Sequence, residues 1–202
     1  TGTNGKTTTT TLVHKLIYDA NISCSMSGNI GNSFSSVCDN SVQYSVVELS
    51  SFQLDGIDIR LDKSLLVDSP GGEVTVSDSQ ISVGDLSGKG GVLTVTGEYV
   101  GVDGGSSLST AGRTGGGTIQ LGGSWQNSDP SVRQARQTII SSGVLLDASA
   151  LEKGDGGEIV VWSDINNPSS YTKARGIFRA RGGLQGGNGG SIETSGHHLD
   201  VA

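Results

Sequence analysis

Aromatic residues are scarce. Phe, Trp and Tyr make up 4% of the 202 residues, and hydrophobic residues of all kinds only 33%. Both shares are low for a packed globular enzyme. Cysteine is nearly absent, with only Cys24 and Cys38. Two cysteines without further partners fit no metal spacing and read as ordinary reduced thiols. Positive charge is short as well. Thirteen Lys and Arg against 20 Asp and Glu leave a net charge of -7. That excludes a nucleic-acid partner, which needs clustered cations to meet phosphates. No apolar run approaches the roughly 18 residues of a membrane span, and none resembles a signal peptide. Without an initial Met, the chain reads as a fragment.

Glycine is abundant, and it is unevenly spread. Residues 1–60 contain five of the 33 glycines, and residues 61–202 contain the other 28. Two compositions predict two structural units, with residues 1–60 as an α/β fragment, 61–66 as a junction and 67–202 as a repeat region.

The first unit opens with "TGTNGKTTTTTLVHKL". Glycines let backbone N–H groups approach a phosphate, a helix N-terminus adds partial positive charge, and a Lys balances the anion. The candidate phosphate-binding set is Gly2, Thr3, Asn4, Gly5, Lys6, Thr7 and Thr8. Thr7 has the hydroxyl that a Mg²⁺ ion takes. Leu12, Val13, Leu16 and Ile17 follow at the spacing of one helical face, so a helix is predicted from about Lys6 to Asp19. "NISCSMS" (21–27) reads as a strand, "GNIG" (28–31) as a turn and "YSVVELS" (44–50) as a second strand with Glu48 among apolar neighbours.

"TGTNGKTT", "GNIG" and "VVELSSFQLD", in this order and spacing, resemble the Mur ligases, in particular the D-glutamate-adding branch of these ATP-dependent peptidoglycan enzymes. The resemblance covers about residues 1–60. It implies that Gly5, Lys6 and Thr7 hold ATP phosphates, that Glu48 joins Thr7 as a Mg²⁺ ligand, and that Asn29, Ser50 and Ser51 lie near the nucleotide-sugar substrate. Mg-ATP is the implied cofactor, and the cytoplasm the implied compartment. The resemblance ends after "SSFQLD". The family's later metal-binding His, modified Lys, adenine pocket and amino-acid domain have no counterpart. No ligase turnover is therefore expected of this chain.

The remaining residues repeat paired glycine followed by alternating apolar positions: "GGEVTVS" (71–77), "GGVLTVTG" (90–97), "GGTIQLGG" (116–123), "GGEIVVWS" (156–163) and "GGSIETSG" (189–196). From the second glycine of each, the intervals are 19, 26, 40 and 33 residues. The first two suit single coils of about twenty residues, and 40 suits two. "GVLLDASA" (143–150), "GIFRARGG" (176–183) and "HHLDVA" (197–202) read as secondary strands. "WQNSDPSVRQARQ" (125–137) and "DINNPSSYTKA" (164–174) read as loops leaving the coil. Gly, Asn and Asp supply the positive-φ turns. Stacked coils sharing a narrow Val/Ile/Leu core predict a mainly β chain, a right-handed parallel β-helix of about six coils, some 30 Å long. An antiparallel β-sandwich is the competing architecture.

"KGDGGEIVVWSD", "GGGTIQLGG" and "GIFRARGGLQGGNGGSIETSGHHLDV" resemble the haemagglutination-activity and filamentous-haemagglutinin repeats of large secreted adhesins. The resemblance covers about residues 67–202. It implies a surface or secreted segment of a Gram-negative bacterium, exported by two-partner secretion with a secretion partner, and a host or environmental surface ligand. It implies no cofactor for the β-helix. Cytoplasmic and exterior pieces in one chain read as two unrelated parts joined near residue 60.

Other constellations carry less. Asp147, Asp155, Glu158 and Asp164 suit carboxylate catalysis on a polysaccharide only if they converge. "GGNGG" (186–190) lacks the Asp of a calcium repeat. His197 and His198, adjacent on a strand, are expected on opposite faces. "SGKGG" (87–91) mimics a phosphate loop without a following helix. "RQARQ" (133–137) is a short solvent-facing basic patch.

Overall fold

A computed structural model of the chain describes residues 3–28, 42, 44–48, 58–61 and 63–201, with the side chains of 3–6 and 59 excepted. Contacts divide it into two units, Thr1–Gln53 and Leu54–Ala202.

In the first unit, helix α1 spans Thr3–Asp19. It begins three residues before the predicted start, because Thr and Asn cost only tenths of a kcal/mol per residue in a helix and Gly about 1. Strands β1 (Cys24–Gly28) and β2 (Tyr44–Glu48) pair in parallel, Cys24 with Tyr44 through Gly28 with Glu48. The Cys24 thiol meets the His14 carbonyl at 3.7 Å, tying α1 to β1. The apolar face read from the sequence is not buried: Leu12, Val13 and Leu16 are exposed, and Ile17 is half-buried. One helix and two described strands offer too little surface to cover it.

The second unit is built of parallel strands, arranged in three rows. Row 1 stacks the first half of β4 (Ser64–Ser77), the first half of β6 (Val92–Asp103), β8 (Thr118–Leu121), β11 (Glu158–Trp162) and β14 (Ser191–Ser195). Row 2 stacks the second halves of β4 and β6, then β9 (Gln137–Ile140), β12 (Tyr171–Ala174) and β15 (His198–Val201). Row 3 is a sheet of short strands: β3 (Asp58–Arg60), β5 (Gln80–Ser82), β7 (Ser107–Ser109), β10 (Leu145–Asp147) and β13 (Ile177–Arg179). From β4 onward the chain visits rows 1, 2 and 3 in turn, then returns to row 1. All these pairings are parallel, which excludes the antiparallel sandwich for the described residues.

Alternation puts every second residue inside. Leu93, Ile119 and Ile159 form one fully buried column, and Val95, Leu121 and Val161 form the next. Row 2 contributes Val100 and Val102, and row 3 contributes Ile81, Leu108 and Leu146. Two inward strand positions of row 2, Thr138 and Thr172, are polar. Thr138 Oγ1 donates to the Trp162 carbonyl at 2.6 Å, and Thr172 Oγ1 bonds Ser163 Oγ at 2.8 Å. Each hydroxyl is satisfied, so its burial carries no unpaired penalty.

The register corrects the repeat periods. Leu93 pairs with Ile119, Ile119 with Ile159 and Ile159 with Ile192, so intervals of 26, 40 and 33 are each one circuit, the 40-residue one included. The 19-residue interval is no period: the strand after Gly72 belongs to row 2 and the strand after Gly91 to row 1. Among the described residues, each of rows 1 and 2 has five strands rather than six, about 19 Å of stack at about 4.8 Å per strand. Nearly all length variation falls at the corner between rows 1 and 2. There the connection is 122–136 after β8 and 163–170 after β11, but only 196–197 after β14. Residues 171–174, expected in a loop, form β12, and Gln137 opens β9.

The other two corners use glycine in different ways. Between rows 2 and 3, Asp78, Gly104 and Gly143 take the expected positive φ of 46°, 62° and 91°. Between rows 3 and 1 the second glycine of each pair has no such φ. Its role is close approach. The N–H of Gly117 donates to the Thr110 carbonyl, while its own carbonyl accepts from Glu158 of the next circuit. A methyl at Gly117 would fall on Gly91 O, one at Gly157 on Gly117 O and one at Gly190 on Gly157 O.

Candidate functional site

Two places concentrate chemistry, one in each unit. In the first, β2 ends on Glu48, and Thr7 lies four residues after the start of α1 at Thr3. The Thr7 hydroxyl donates to Glu48 Oε1 at 3.3 Å. Glu48 is 7% exposed, and its Oε2 has no hydrogen-bond partner among the described residues. The hydroxyl of buried Ser27 on β1 is also unpartnered. A buried carboxylate with one free oxygen is costly unless a cation or donors meet it. Hard oxygen donors of this kind are what Mg²⁺ takes. The two residues expected to share that ion, 41 positions apart, therefore fit it. The backbone of Thr3, Asn4, Gly5 and Lys6 is helical rather than loop. Thr8 lies on the same helix, one residue after Thr7. Gly2, Asn29, Ser50 and Ser51 lie outside the described residues.

In the second unit, residues 122–136 leave row 1 after β8 and run over its outer face. Val160 and Trp162 point away from the interior, yet are 0% and 3% exposed. The Trp162 indole N–H donates to Gln134 Oε1 at 3.0 Å. The Gln126 N–H donates to Glu193 Oε2 on β14 at 2.9 Å, and Ser195 Oγ donates to the other oxygen at 3.2 Å. Arg133 Nε lies 3.3 Å from Asp68 Oδ1 on β4, and the Arg136 N–H donates to the Glu98 carbonyl on β6 at 2.8 Å. A cavity of about 200 Å³ remains beneath, lined by Leu66, Asp68, Thr94, Thr96, Val132 and Arg133. Glu158 is pushed above the usual carboxylate range, first by burial and then by the charge of Glu193. The "RQARQ" cations are thus half-exposed and face acids, Asp68 and Glu98.

The four carboxylates considered for catalysis stay apart in role. Asp147 accepts the Ser149 N–H on row 3, Asp155 the Asn188 N–H, and Asp164 the Asn166 N–H. Glu158, on row 1, has Glu193 as its acidic neighbour, a pairing across 35 residues that local sequence does not signal. The histidines correct an expectation. Their rings meet edge-to-face at 5.0 Å, because His197 precedes β15 and escapes strand alternation. His197 Nδ1 lies 3.1 Å from the Ile165 carbonyl and His198 Nε2 3.1 Å from that of Pro168, so each ring N–H donates to the 164–170 loop. Among the described residues no three His, Cys, Asp or Glu gather as a metal site, and no helix is long and apolar enough to cross a membrane.

The molecule thus combines a Mur-ligase-like α/β fragment with a unit of stacked parallel strands like those of haemagglutinin-type secreted proteins. Short N-terminal segments are similar to UDP-N-acetylmuramoylalanine--D-glutamate ligases. The identity is 52% over 59 residues with that of Christiangramia forsetii, covering 29% of this chain and 13% of the relative. It is 44% over 69 residues with that of Bacteroides fragilis, covering 33% and 16%. It is 50% over 60 residues with that of Oceanobacillus iheyensis, covering 29% and 13%. The chain therefore spans about a seventh of these relatives. Among solved structures it is similar to the HMW1 secretion domain from Haemophilus influenzae, with a TM-score of 0.52 and 27% identity over 73% of this chain and 41% of that one. No family model matches the chain.

Proposed function

We propose that residues 67–202 form a right-handed parallel β-helix that serves as a secreted or surface adhesin-type segment of a Gram-negative bacterium. The observation that carries this reading is the three-row parallel register with one circuit per repeat. Similarity to a secretion domain supports export through a secretion partner. The outer faces, not an enclosed cleft, are then the working surface. The test is adhesion: beads coated with the full chain are counted on cultured epithelial cells and on immobilised matrix proteins. We expect capture above albumin-coated beads on at least one surface. Capture equal to albumin on all of them refutes the adhesin role.

A second reading rests on the Thr7–Glu48 contact and the open Glu48 oxygen. In it, residues 1–60 are a Mur-ligase ATP-binding fragment without turnover. Thr7 and Glu48 would hold Mg²⁺, and Lys6 with the Gly2–Thr8 backbone would face the phosphates. The ion would supply charge neutralisation for ATP. Calorimetric titration with Mg-ATP tests it. Micromolar binding lost in Lys6→Ala supports a surviving site, and no heat at millimolar ATP refutes it.

A further inference from the structure

In stacked-strand repeats each strand touches only its immediate neighbours, so the ends of a stack open independently. The 122–136 segment departs from that rule. It leaves β8, the middle strand of row 1, and holds strands on both sides. Toward one end it reaches β6 through the Glu98 carbonyl and β4 through Asp68, at 2.8 and 3.3 Å. Toward the other it meets Trp162 of β11, whose indole N–H donates to Gln134 Oε1 at 3.0 Å, and reaches Glu193 of β14, with Gln126 N–H to Oε2 at 2.9 Å. Arg133 and Asp68 are 65 residues apart, and Gln126 and Glu193 are 67 apart.

The segment is also braced internally. Ser124 Oγ accepts the Asp129 N–H at 3.1 Å, Asp129 Oδ1 accepts Ser131 N–H at 2.9 Å, and the Ala135 N–H closes on the Gly122 carbonyl at 2.7 Å. A braced segment passes a displacement from one anchor to the other, as a slack loop does not.

We propose that residues 122–136 are an axial clamp that couples opening of β4, at one end of row 1, to opening of β14, at the other. Loss of the Arg133 anchor frees the segment at β4 and loosens its grip on Glu193. Loss of Glu193 acts in reverse. Neither change touches the interior columns, since both side chains lie on the outer face.

The test is amide hydrogen exchange on the full chain, read strand by strand for Arg133→Ala, Glu193→Ala and wild type. We expect Arg133→Ala to speed exchange about tenfold in β14 as well as β4, and Glu193→Ala to do the same in β4 as well as β14. Strands β7 and β10 of row 3 stay at the wild-type rate. Acceleration confined to the strand that lost its own contact overturns the clamp. A second readout guards against an ambiguous exchange pattern. In a Trp125→Phe background, acrylamide quenching of Trp162 rises at least twofold on Arg133→Ala if the segment lifts. Unchanged quenching overturns the proposal too.

Discussion

Two glycine-to-alanine substitutions in the same stack are expected to move stability in opposite directions. At Gly157 an added methyl falls on the Gly117 carbonyl and the Gly116 backbone. No flexible side chain can give way there, so β11 must move off β8. Overpacking costs about 1–3 kcal/mol. The Glu158 N–H to Gly117 carbonyl bond, 2.9 Å long, is stretched by the same movement and adds about 1 kcal/mol. The total is about 2–4 kcal/mol. At Gly105 a methyl meets nothing within 4 Å and φ is not left-handed, while the N–H keeps its bond to Asp78 Oδ1 at 3.0 Å. Alanine there restricts only the unfolded chain, a gain of about 0.4–1 kcal/mol. Urea unfolding followed by tryptophan fluorescence reads both, since Trp162 is 3% exposed when folded. With a slope near 2 kcal/mol/M, the Gly157→Ala midpoint falls by about 1–2 M and the Gly105→Ala midpoint rises by about 0.2–0.5 M. Shifts of the same sign, or a Gly157→Ala midpoint at the wild-type value, would refute the close-approach account of paired glycine.

Ile159→Ala empties one place in the Leu93, Ile119 and Ile159 column, which is 0% exposed, with Ile119 stacked beside it. The expected loss is about 3–4 kcal/mol, measured by the same urea titration, and a loss below about 1 kcal/mol would mean that the column is not the core. Glu158 yields a pH effect of defined sign. Its raised value means that the folded state holds the proton more tightly, so its stabilisation is present below the ordinary Glu range near 4.3 and is lost as pH rises through the raised value. Melting temperatures of Glu158→Gln and wild type should coincide at pH 3.5 and separate by pH 7 with the variant higher; parallel curves throughout contradict this.

Much of the second unit was readable from local pattern. The paired glycines at 90–91, 116–117, 156–157 and 189–190 each announced a row 1 strand, because the corner has no room for Cβ and the strand after it alternates. What escaped had weak local signal. Row 3 strands are three residues long, and β5, β7 and β10 each have one fully inward apolar side chain, such as Leu108 in "SLS", too short for a period to appear. β9 and β12 place Thr138 and Thr172 inward, which breaks the apolar alternation although both hydroxyls are paired inside. In the first unit, the spacing of Leu12, Val13 and Leu16 correctly marked a helix. It could not say whether anything covers that face, and they are exposed. The Thr7–Glu48 contact was legible only through the family resemblance, and the anchors of the 122–136 segment not at all, since their partners lie in other circuits, 65 residues away for Arg133 and 67 for Gln126.

The unequal corners have a use in engineering. One corner takes in a connection as short as residues 196–197 or as long as 122–136 while the ladders on either side keep their register. Another rejects a single methyl group. Foreign peptides, such as an epitope or a protease site, therefore belong in the 163–170 connection, where added length does not reset the pairing of β11 or β12. The same peptide placed at a paired glycine would force apart two strands of row 1. The stack thus carries its own map of where new sequence can be written.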